Sequence, residues 1–136
     1  MGLKYFHTPD DPRQPGWVMG GMPPTPEAGG GILENWVLVG PDDRYAEFNL
    51  GNFSSERLII AINTYAPGVE HGGKDHFHPD MEQIYYVIAG RGVITVGEEE
   101  REVGPGSFSF MPRNVKHGAL NTGSEPMTVA VISSVL

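Results

Sequence analysis

Short apolar runs separated by glycine and proline recur along this chain, and they limit its fold more than any other feature. The 136 residues include 19 Gly and 12 Pro, while Val, Ile, Tyr and Phe gather in expected strands such as ILENWVLVG, RYAEFNLGNF, RLIIAINTY and MTVAVISSV. Branched and aromatic residues favour strands, and Gly and Pro end them. No convincing amphipathic helix interrupts the series. The pattern predicts a single all-β domain, built as a sandwich or as a barrel such as a jelly roll.

The first 31 residues differ from the rest in having few periodic apolar runs. The segments PDDPRQPG and GGMPPTPEAGGG contain residues that break helices and central strands. We therefore predict an irregular N-terminal arm over residues 1–31 and a barrel over residues 32–136. Trp17, Val18 and Met19 are costly to leave in water, so we expect part of the arm to pack on the barrel or on a second subunit.

Charge and composition exclude several classes of function. The formal net charge is -8, and no stripe of Lys or Arg offsets it, so nucleic acid is not an expected partner. The absence of Cys excludes disulfides and thiolate metal sites. The N-terminus lacks the apolar core of a signal peptide, and no apolar run approaches the length of a membrane span. These features predict a cytoplasmic protein without a membrane partner.

Two histidines stand one residue apart in the stretch DHFHPDMEQIYYV. In an extended segment His76 and His78 face the same side and Phe77 faces the other. Neutral imidazole is the commonest metal-ligating side chain, so this pair suits a metal ion held against a sheet. A third histidine, His117, follows another apolar run. With no thiols present, a metal site here would use nitrogen and oxygen ligands.

The spacing of these residues resembles the two motifs of the cupin superfamily. The first motif has two histidines one residue apart, a Glu or Gln, and a Gly, and the second has Gly, Pro, His and Asn at fixed intervals. The matching positions are His76, His78, Gln83 and Gly90, followed by Gly106, Pro112, Asn114, His117 and Asn121. The resemblance implies a small single-domain cupin, or monocupin, with a double-stranded β-helix fold. It also implies one divalent ion (Zn, Mn, Fe or Ni) and a homodimer.

Two positions depart from the motifs. Glu70 stands where the first motif usually has Gly, which indicates a different loop before His76. Asn114 replaces the Gly of the second motif. This second change is mild, because Asn is among the few residues that tolerate a left-handed backbone.

The motif spacing also chooses between two adjacent residues for the fourth ligand. Counting forward from His78 and back from Gly90 selects Gln83. Strand alternation would turn Glu82 to the opposite face. The resemblance therefore implies His76, His78, Gln83 and His117 as metal ligands. Glu82 is the alternative to Gln83 and requires a one-residue bulge, a feature that does occur beside functional sites.

A Gln ligand has consequences for the chemistry. A carboxylate would lower the charge of a divalent site to about +1, whereas an amide leaves it near +2. Such a site differs from the two-histidine, one-carboxylate set of iron oxygenases. A His-Gln-His set resembles that of the small uronate-processing cupins. We therefore expect an enzyme with isomerase-type or lyase-type chemistry on a small, oxygen-rich, anionic ligand. A non-haem iron dioxygenase and a non-catalytic binding module are the alternatives.

Several other residues are candidates for the same cavity. Tyr85 shares the strand face of Gln83 and could supply a phenol as acid or base, or it could be a core tyrosine with a satisfied hydroxyl. His71 lies in a glycine-rich stretch before His76. We expect it on the surface or beside the ligands, with a direct ligand role as the alternative. Tyr65 and Phe110 are weaker candidates for the cavity wall.

Overall fold

The structure, a computed structural model, describes residues 6–11, 32–40, 53–71 and 76–136. The regular structure in this part of the chain consists of strands alone. In chain order they are β1 (Ile32–Gly40), β2 (Phe53–Ser54), β3 (Leu58–Tyr65), β4 (Glu70–His71), β5 (Met81–Ala89), β6 (Gly92–Val96), β7 (Glu99–Val103), β8 (Phe108–Met111), β9 (His117–Leu120) and β10 (Met127–Val135). Among the described residues, no helix is long and apolar enough to cross a membrane.

The strands form two sheets that enclose one main core. The larger sheet has the order β2-β1-β3-β10-β5-β8 and the smaller has the order β4-β9-β6-β7. Neighbouring strands pair antiparallel, except that β1 and β2 pair in parallel. Tyr65, Tyr85 and Val87 of the larger sheet join Ile94 and Ala119 of the smaller one in a buried apolar cluster. This architecture confirms the predicted double-stranded β-helix.

Most of the predicted strands are present, and two were missed. The run ILENWVLVG is β1, and MTVAVISSV is β10. The missed strands are β4, with two residues, and β9, with the sequence HGAL. Neither has the branched and aromatic residues that mark a strand, so tertiary pairing creates both. The expected strand RYAEFNLGNF lies outside the described residues except for its last residue, Phe53.

Two motif positions have backbones that explain their residue types. Gly90 has a φ of 81°, and a Cβ atom there would lie 2.5 Å from the carbonyl oxygen of Pro126. Asn114 has a φ of 67°, so the expected left-handed conformation at this position is confirmed. Both residues lie where the chain changes direction beside a strand. The motif therefore records backbone requirements as well as ligands.

The larger sheet has an inner face in the core and an outer face that is also apolar. Residues alternate along β3 and β10 between fully buried positions and half-buried ones. Trp36 of β1 lies opposite Ile62 on the outer face. The ring of His7, from the described part of the predicted arm, lies 4.7 Å from the ring of Trp36. Residues 12–31 of that arm lie outside the described residues, so the domain division stays a prediction.

Candidate metal centre

Three histidines meet inside the barrel because backbone hydrogen bonds join the two chain segments that carry them. His76 and His78 precede β5, and His117 opens β9. The backbone N–H of His117 donates to the carbonyl of His76 at 2.9 Å, and that of Asn114 donates to the carbonyl of His78 at 2.8 Å. Phe77, between the two histidines, is 45% exposed. The segment thus turns both imidazoles to one side, as its spacing predicts, although it lies outside the regular strands.

The three rings are close enough to share one ion. Their potential ligand atoms lie within 4.8 Å of one another. Ring centroids are separated by 4.7 Å for His76 and His78, 4.8 Å for His76 and His117, and 5.4 Å for His78 and His117. Two nitrogens bound to one zinc-like ion at about 2.1 Å lie no more than about 4.2 Å apart. A small contraction of the cluster therefore suffices to hold an ion.

A hydrogen bond determines which nitrogen of His117 is available. Its Nδ1 lies 3.1 Å from the carbonyl oxygen of Val115. A carbonyl only accepts, so Nδ1 carries the hydrogen and Nε2 keeps a lone pair. Nε2 is buried and has no hydrogen-bond partner within the described part of the chain. This is the arrangement of a metal-ligating histidine whose other nitrogen is fixed by a backbone carbonyl.

Burial keeps the cluster neutral at physiological pH. Desolvation lowers the pKa of His76 and of His117 below the usual value of 6.5. The pKa of His78 falls to about 4, chiefly through burial and then through the nearby rings of His76 and His117. Neutral imidazoles have free lone pairs, which is the form that binds metal. The three side chains are therefore ready to accept a cation without first losing protons.

Gln83 and Glu82 lie on opposite faces of β5. Gln83 is buried, and its Nε2 donates to Ser133 Oγ at 2.8 Å. Its Oε1 atom is buried and finds no hydrogen-bond partner in the described ranges. Glu82 is exposed and does not belong to the histidine cluster. The face expected for each residue is thus observed, while the role of Gln83 as a ligand stays a prediction.

The residues present fit a metal ion in one further respect. Two buried side-chain atoms lack partners among the described residues, and both are lone-pair atoms of predicted ligands, namely Gln83 Oε1 and His117 Nε2. Leaving one buried polar atom unpaired costs about 1–3 kcal/mol. A cation held by these residues would satisfy both atoms. The donor set, three imidazoles and one amide, suits a borderline divalent ion.

Tyr85 borders the cluster from the inner face of β5. Its ring meets that of His117 edge-on, with 5.8 Å between centroids, and the residue is 1% exposed. Burial raises the pKa of the Tyr85 phenol well above 10. The hydroxyl therefore stays protonated at neutral pH and can donate a proton or a hydrogen bond. Its catalytic role stays a prediction.

A buried polar chain approaches the cluster from β3 and β4. Tyr65 OH lies 2.9 Å from His71 Nδ1, and Asn63 Nδ2 donates to the same hydroxyl at 3.1 Å. The His71 ring lies 5.8 Å from that of His76. Burial, followed by repulsion from the other histidines, lowers the pKa of His71 to about 4. His71 lies beside the candidate ligands, which is one of the positions expected for it, and the glycine-rich stretch that contains it begins as the two-residue strand β4.

Four further residues in this region bear on what the sequence predicted. Phe110 does not line the histidine cavity, because it alternates to the outer face and is 54% exposed. The contributions of Asn63 and Ser133 were missed, since a lone polar residue in an apolar strand gives no signal of its partner across the sheet. The motif residue Asn121 is structural: its Nδ2 donates to the carbonyls of Tyr65 and Glu125 at 3.0 and 2.9 Å.

The fold and the histidine cluster together define a small β-barrel with a candidate metal site. The family model described as Cupin domain matches residues 61–133, which is more than half of the chain. The chain therefore belongs to the cupin family.

Similar proteins include members with isomerase and lyase names. The chain is 38% identical over 66 residues to a glucose-6-phosphate isomerase of Thermococcus kodakarensis, which covers 43% of this chain and 35% of that protein. It is 34% identical over 58 residues to an uncharacterized protein of Methanocaldococcus jannaschii, covering 43% and 46%. The matches thus span less than half of either curated relative.

A solved structure gives the same architecture over a longer range. The crystal structure of the DMSP lyase DddQ from Ruegeria pomeroyi aligns with a TM-score of 0.68 and 23% identity, covering 90% of this chain and 56% of that one. At this identity the likeness concerns the fold alone.

Proposed function

We propose that this cupin is a divalent-metal-dependent enzyme with non-redox, isomerase-type or lyase-type chemistry on a small, oxygen-rich, anionic substrate. The observation that carries the proposal is the neutral donor set of the site. Three imidazoles with lowered pKa values have ligand atoms close to one another, and Gln83, the buried candidate ligand on β5, carries an uncharged amide. No carboxylate of the described residues belongs to the cluster. Such a site leaves the charge of a bound cation uncompensated and so favours anions.

His76, His78, His117 and Gln83 would hold the ion. When bound, a divalent ion supplies Lewis acidity that polarises a carbonyl or phosphoryl oxygen. Tyr85, which keeps its proton, can donate it to a substrate oxygen beside His117. Met111, which pairs with Gln83 across the sheet and is 1% exposed, keeps water from that side of the site and so strengthens the electrostatic contacts there.

The two alternatives have less support. The dioxygenase interpretation depends on Glu82 as a carboxylate ligand, and that side chain is exposed on the other face of β5. A non-catalytic module would favour an inert cavity without proton donors. Here Tyr85 borders the cluster, and His71 lies next to His76. The name of the related isomerase agrees with non-redox chemistry.

Metal analysis combined with a substrate panel tests the proposal. Protein produced without added metal is analysed for bound elements, beside a variant carrying His76→Ala and His117→Ala. Metal-loaded protein is then assayed on sugar phosphates, uronates and DMSP, with oxygen uptake recorded in parallel. We expect about one ion per chain, lost in the variant, and product formation without oxygen uptake. Turnover that consumes oxygen would contradict the non-redox assignment.

We also propose that the protein is a homodimer joined through the outer face of the larger sheet. Its β5 and β8 end exposes large apolar side chains, namely Ile84, Ile88, Phe108 and Phe110, and the half-buried Tyr86 packs against Phe108 among them. Phe108 is 69% exposed, and β8 is an edge strand. A solvated sheet face normally carries polar residues, and open edges are normally covered. A second copy would supply that cover.

A further inference from the structure

We propose that His71 is a hydrogen-bond donor for the anionic substrate, with Tyr65 as its positioning residue, and that it is not a metal ligand. The proposal rests on the proposed metal-dependent function and adds a substrate-binding group to that site. It follows from two hydrogen bonds that join Asn63, Tyr65 and His71, and from the place of His71 relative to the three clustered histidines.

The contacts determine where the hydrogen of each group lies. Asn63 Nδ2 donates to the Tyr65 hydroxyl oxygen at 3.1 Å. Among the described residues, His71 Nδ1, 2.9 Å away, is the one group that can accept the hydrogen of this hydroxyl. Nδ1 thus accepts, and a neutral imidazole has one hydrogen, which must be on Nε2. Tyr65 in this way selects the tautomer of His71.

The ring of His71 is a neighbour of both Tyr65 and the cluster. Its centroid is 5.5 Å from that of Tyr65 and 5.8 Å from that of His76. His71 pairs with Ala119 of β9, the strand that His117 opens, so the two histidines approach the cavity from neighbouring strands. Within the described ranges, no hydrogen bond of Nε2 accompanies the Nδ1 contact. His71 also lies outside the group whose ligand atoms are within 4.8 Å of one another.

His71 and His117 are held in opposite tautomers. His117 donates through Nδ1 to a backbone carbonyl and keeps a lone pair on Nε2. His71 accepts at Nδ1 and carries its hydrogen on Nε2. A nitrogen that carries hydrogen cannot coordinate a metal, but it can bind a substrate oxygen. The site therefore combines lone pairs for a cation with an N–H for the oxygen of an anion.

The hydrogen-bonded side chains of Asn63, Tyr65 and His71 differ from an ordinary surface contact, because Asn63 and Tyr65 are buried. Tyr65 is fully buried and Asn63 is 4% exposed, on a sheet face that is otherwise mostly apolar. Polar groups in such a place are costly unless each is satisfied, and here each link satisfies the next. Among these three side chains, the Nε2–H of His71 is a group with no hydrogen-bond partner among the described residues, and its ring is the one that neighbours His76.

The first test reads the tautomer directly. Nitrogen-15 NMR of histidine-labelled wild-type protein distinguishes a protonated ring nitrogen from one with a lone pair, and His71→Gln assigns the signal. We expect His71 as the Nε2–H form and His117 as the Nδ1–H form. In Tyr65→Phe, which removes only the hydroxyl, His71 should become a mixture of tautomers. A wild-type His71 with its hydrogen on Nδ1 would overturn the proposal.

The second test separates anion binding from metal binding. Zinc affinity is measured by chelator competition, and the zinc-loaded proteins are titrated with glycolate, a small hydroxy acid. We expect His71→Phe to weaken glycolate binding about tenfold and to change zinc affinity by less than about threefold. His71→Gln, which keeps an N–H donor, should recover part of the glycolate affinity. Thermal unfolding of each variant checks that it is folded.

The outcomes distinguish this proposal from the one on which it rests. A tenfold loss of zinc affinity in His71→Phe would make His71 a ligand and overturn the donor role. Unchanged glycolate binding in that variant, or no glycolate binding by the wild type, would also overturn it. Failure of the wild type to bind zinc would instead contradict the proposed metal centre, while the NMR result would still report the tautomer of His71.

Discussion

Gln83 and Ser133 lie directly opposite each other on β5 and β10, and the amide nitrogen of Gln83 donates to the hydroxyl of Ser133 at 2.8 Å. Because one end of the amide is occupied, the orientation of the other end is fixed. Gln83 Oε1, the end that could bind a cation, is the atom left buried without a partner. Ser133 thus fixes the orientation of the Gln83 amide from the neighbouring strand.

Replacing Ser133 should weaken metal binding without removing any ligand. Ser133→Ala leaves Gln83 Nε2 unpaired, so the amide can rotate away from its present orientation. We expect zinc affinity to fall roughly tenfold, as for other partners that orient a ligand. Ser134→Ala is the matched control, because Ser134 is the next residue along β10 and lies on the outer face. Equal affinities of the two variants in chelator competition would show that Ser133 does not orient the site.

Gln83→Glu should test the link between site charge and reaction type. The change keeps the shape of the side chain and adds one negative charge. We expect tighter zinc binding and a lower kcat/KM for an anionic substrate at matched metal occupancy, because the charge opposes the substrate. Glu82→Gln, the reciprocal change on the exposed face, should alter neither quantity appreciably. Equal or higher efficiency of Gln83→Glu, together with oxygen consumption, would favour the dioxygenase.

Acidification should destabilise the metal-free protein. The folded-state pKa values of His71 and His78 are about 4, whereas an unfolded histidine has about 6.5. Between these values the unfolded chain binds more protons, so stability is present above pH 6.5 and is lost as pH falls toward 4. Thermal unfolding of metal-free protein should show a Tm that falls over this window. His78→Gln should show a shallower fall, and an equally steep one would rule out His78 as a contributor.

Polar substitutions on the outer face should separate the dimer. We expect Phe108→Ser combined with Phe110→Ser to remove the exposed aromatic surface at the β8 edge and to raise the dimer dissociation constant at least tenfold. Light scattering after gel filtration measures the mass. Phe77→Ser is the control, since Phe77 is also exposed but belongs to the segment between His76 and His78. A wild-type protein that is monomeric at high micromolar concentration would contradict the dimer.

Glycine replacements should show where the motif encodes backbone geometry. Gly90 and Gly68 have nearly the same φ, 81° and 82°. A Cβ at Gly90 would collide with Pro126 and Met127, whereas a Cβ at Gly68 would meet no other described atom within 4 Å. We expect Gly68→Ala to cost about 1 kcal/mol from strain alone, and Gly90→Ala to cost about 2–4 kcal/mol because overpacking is added. Urea unfolding compares the two. Equal losses would mean that the loop of Pro126 yields to the extra methyl group.

The sequence by itself determined the sheet-rich fold, the extent of strands such as β1 and β10, and the histidines that meet. These features depend on local rules. Branched residues between glycines specify strands, alternation puts His76 and His78 on one side, and motif spacing separates Gln83 from Glu82. The left-handed backbone of Asn114 could also be predicted, because residue type alone limits that conformation.

Only the tertiary structure decided which distant groups complete the site. Ser133 contacts Gln83 from fifty positions away, and Tyr65 meets His71 only because β4 is paired with β9. Strand order and register bring these side chains together, and neither leaves a pattern in the residues concerned. Phe110 shows the same limit, since its face depends on how β8 pairs with β5. Local sequence fixes how a strand alternates, whereas long-range pairing fixes which face meets the core and which partner stands opposite.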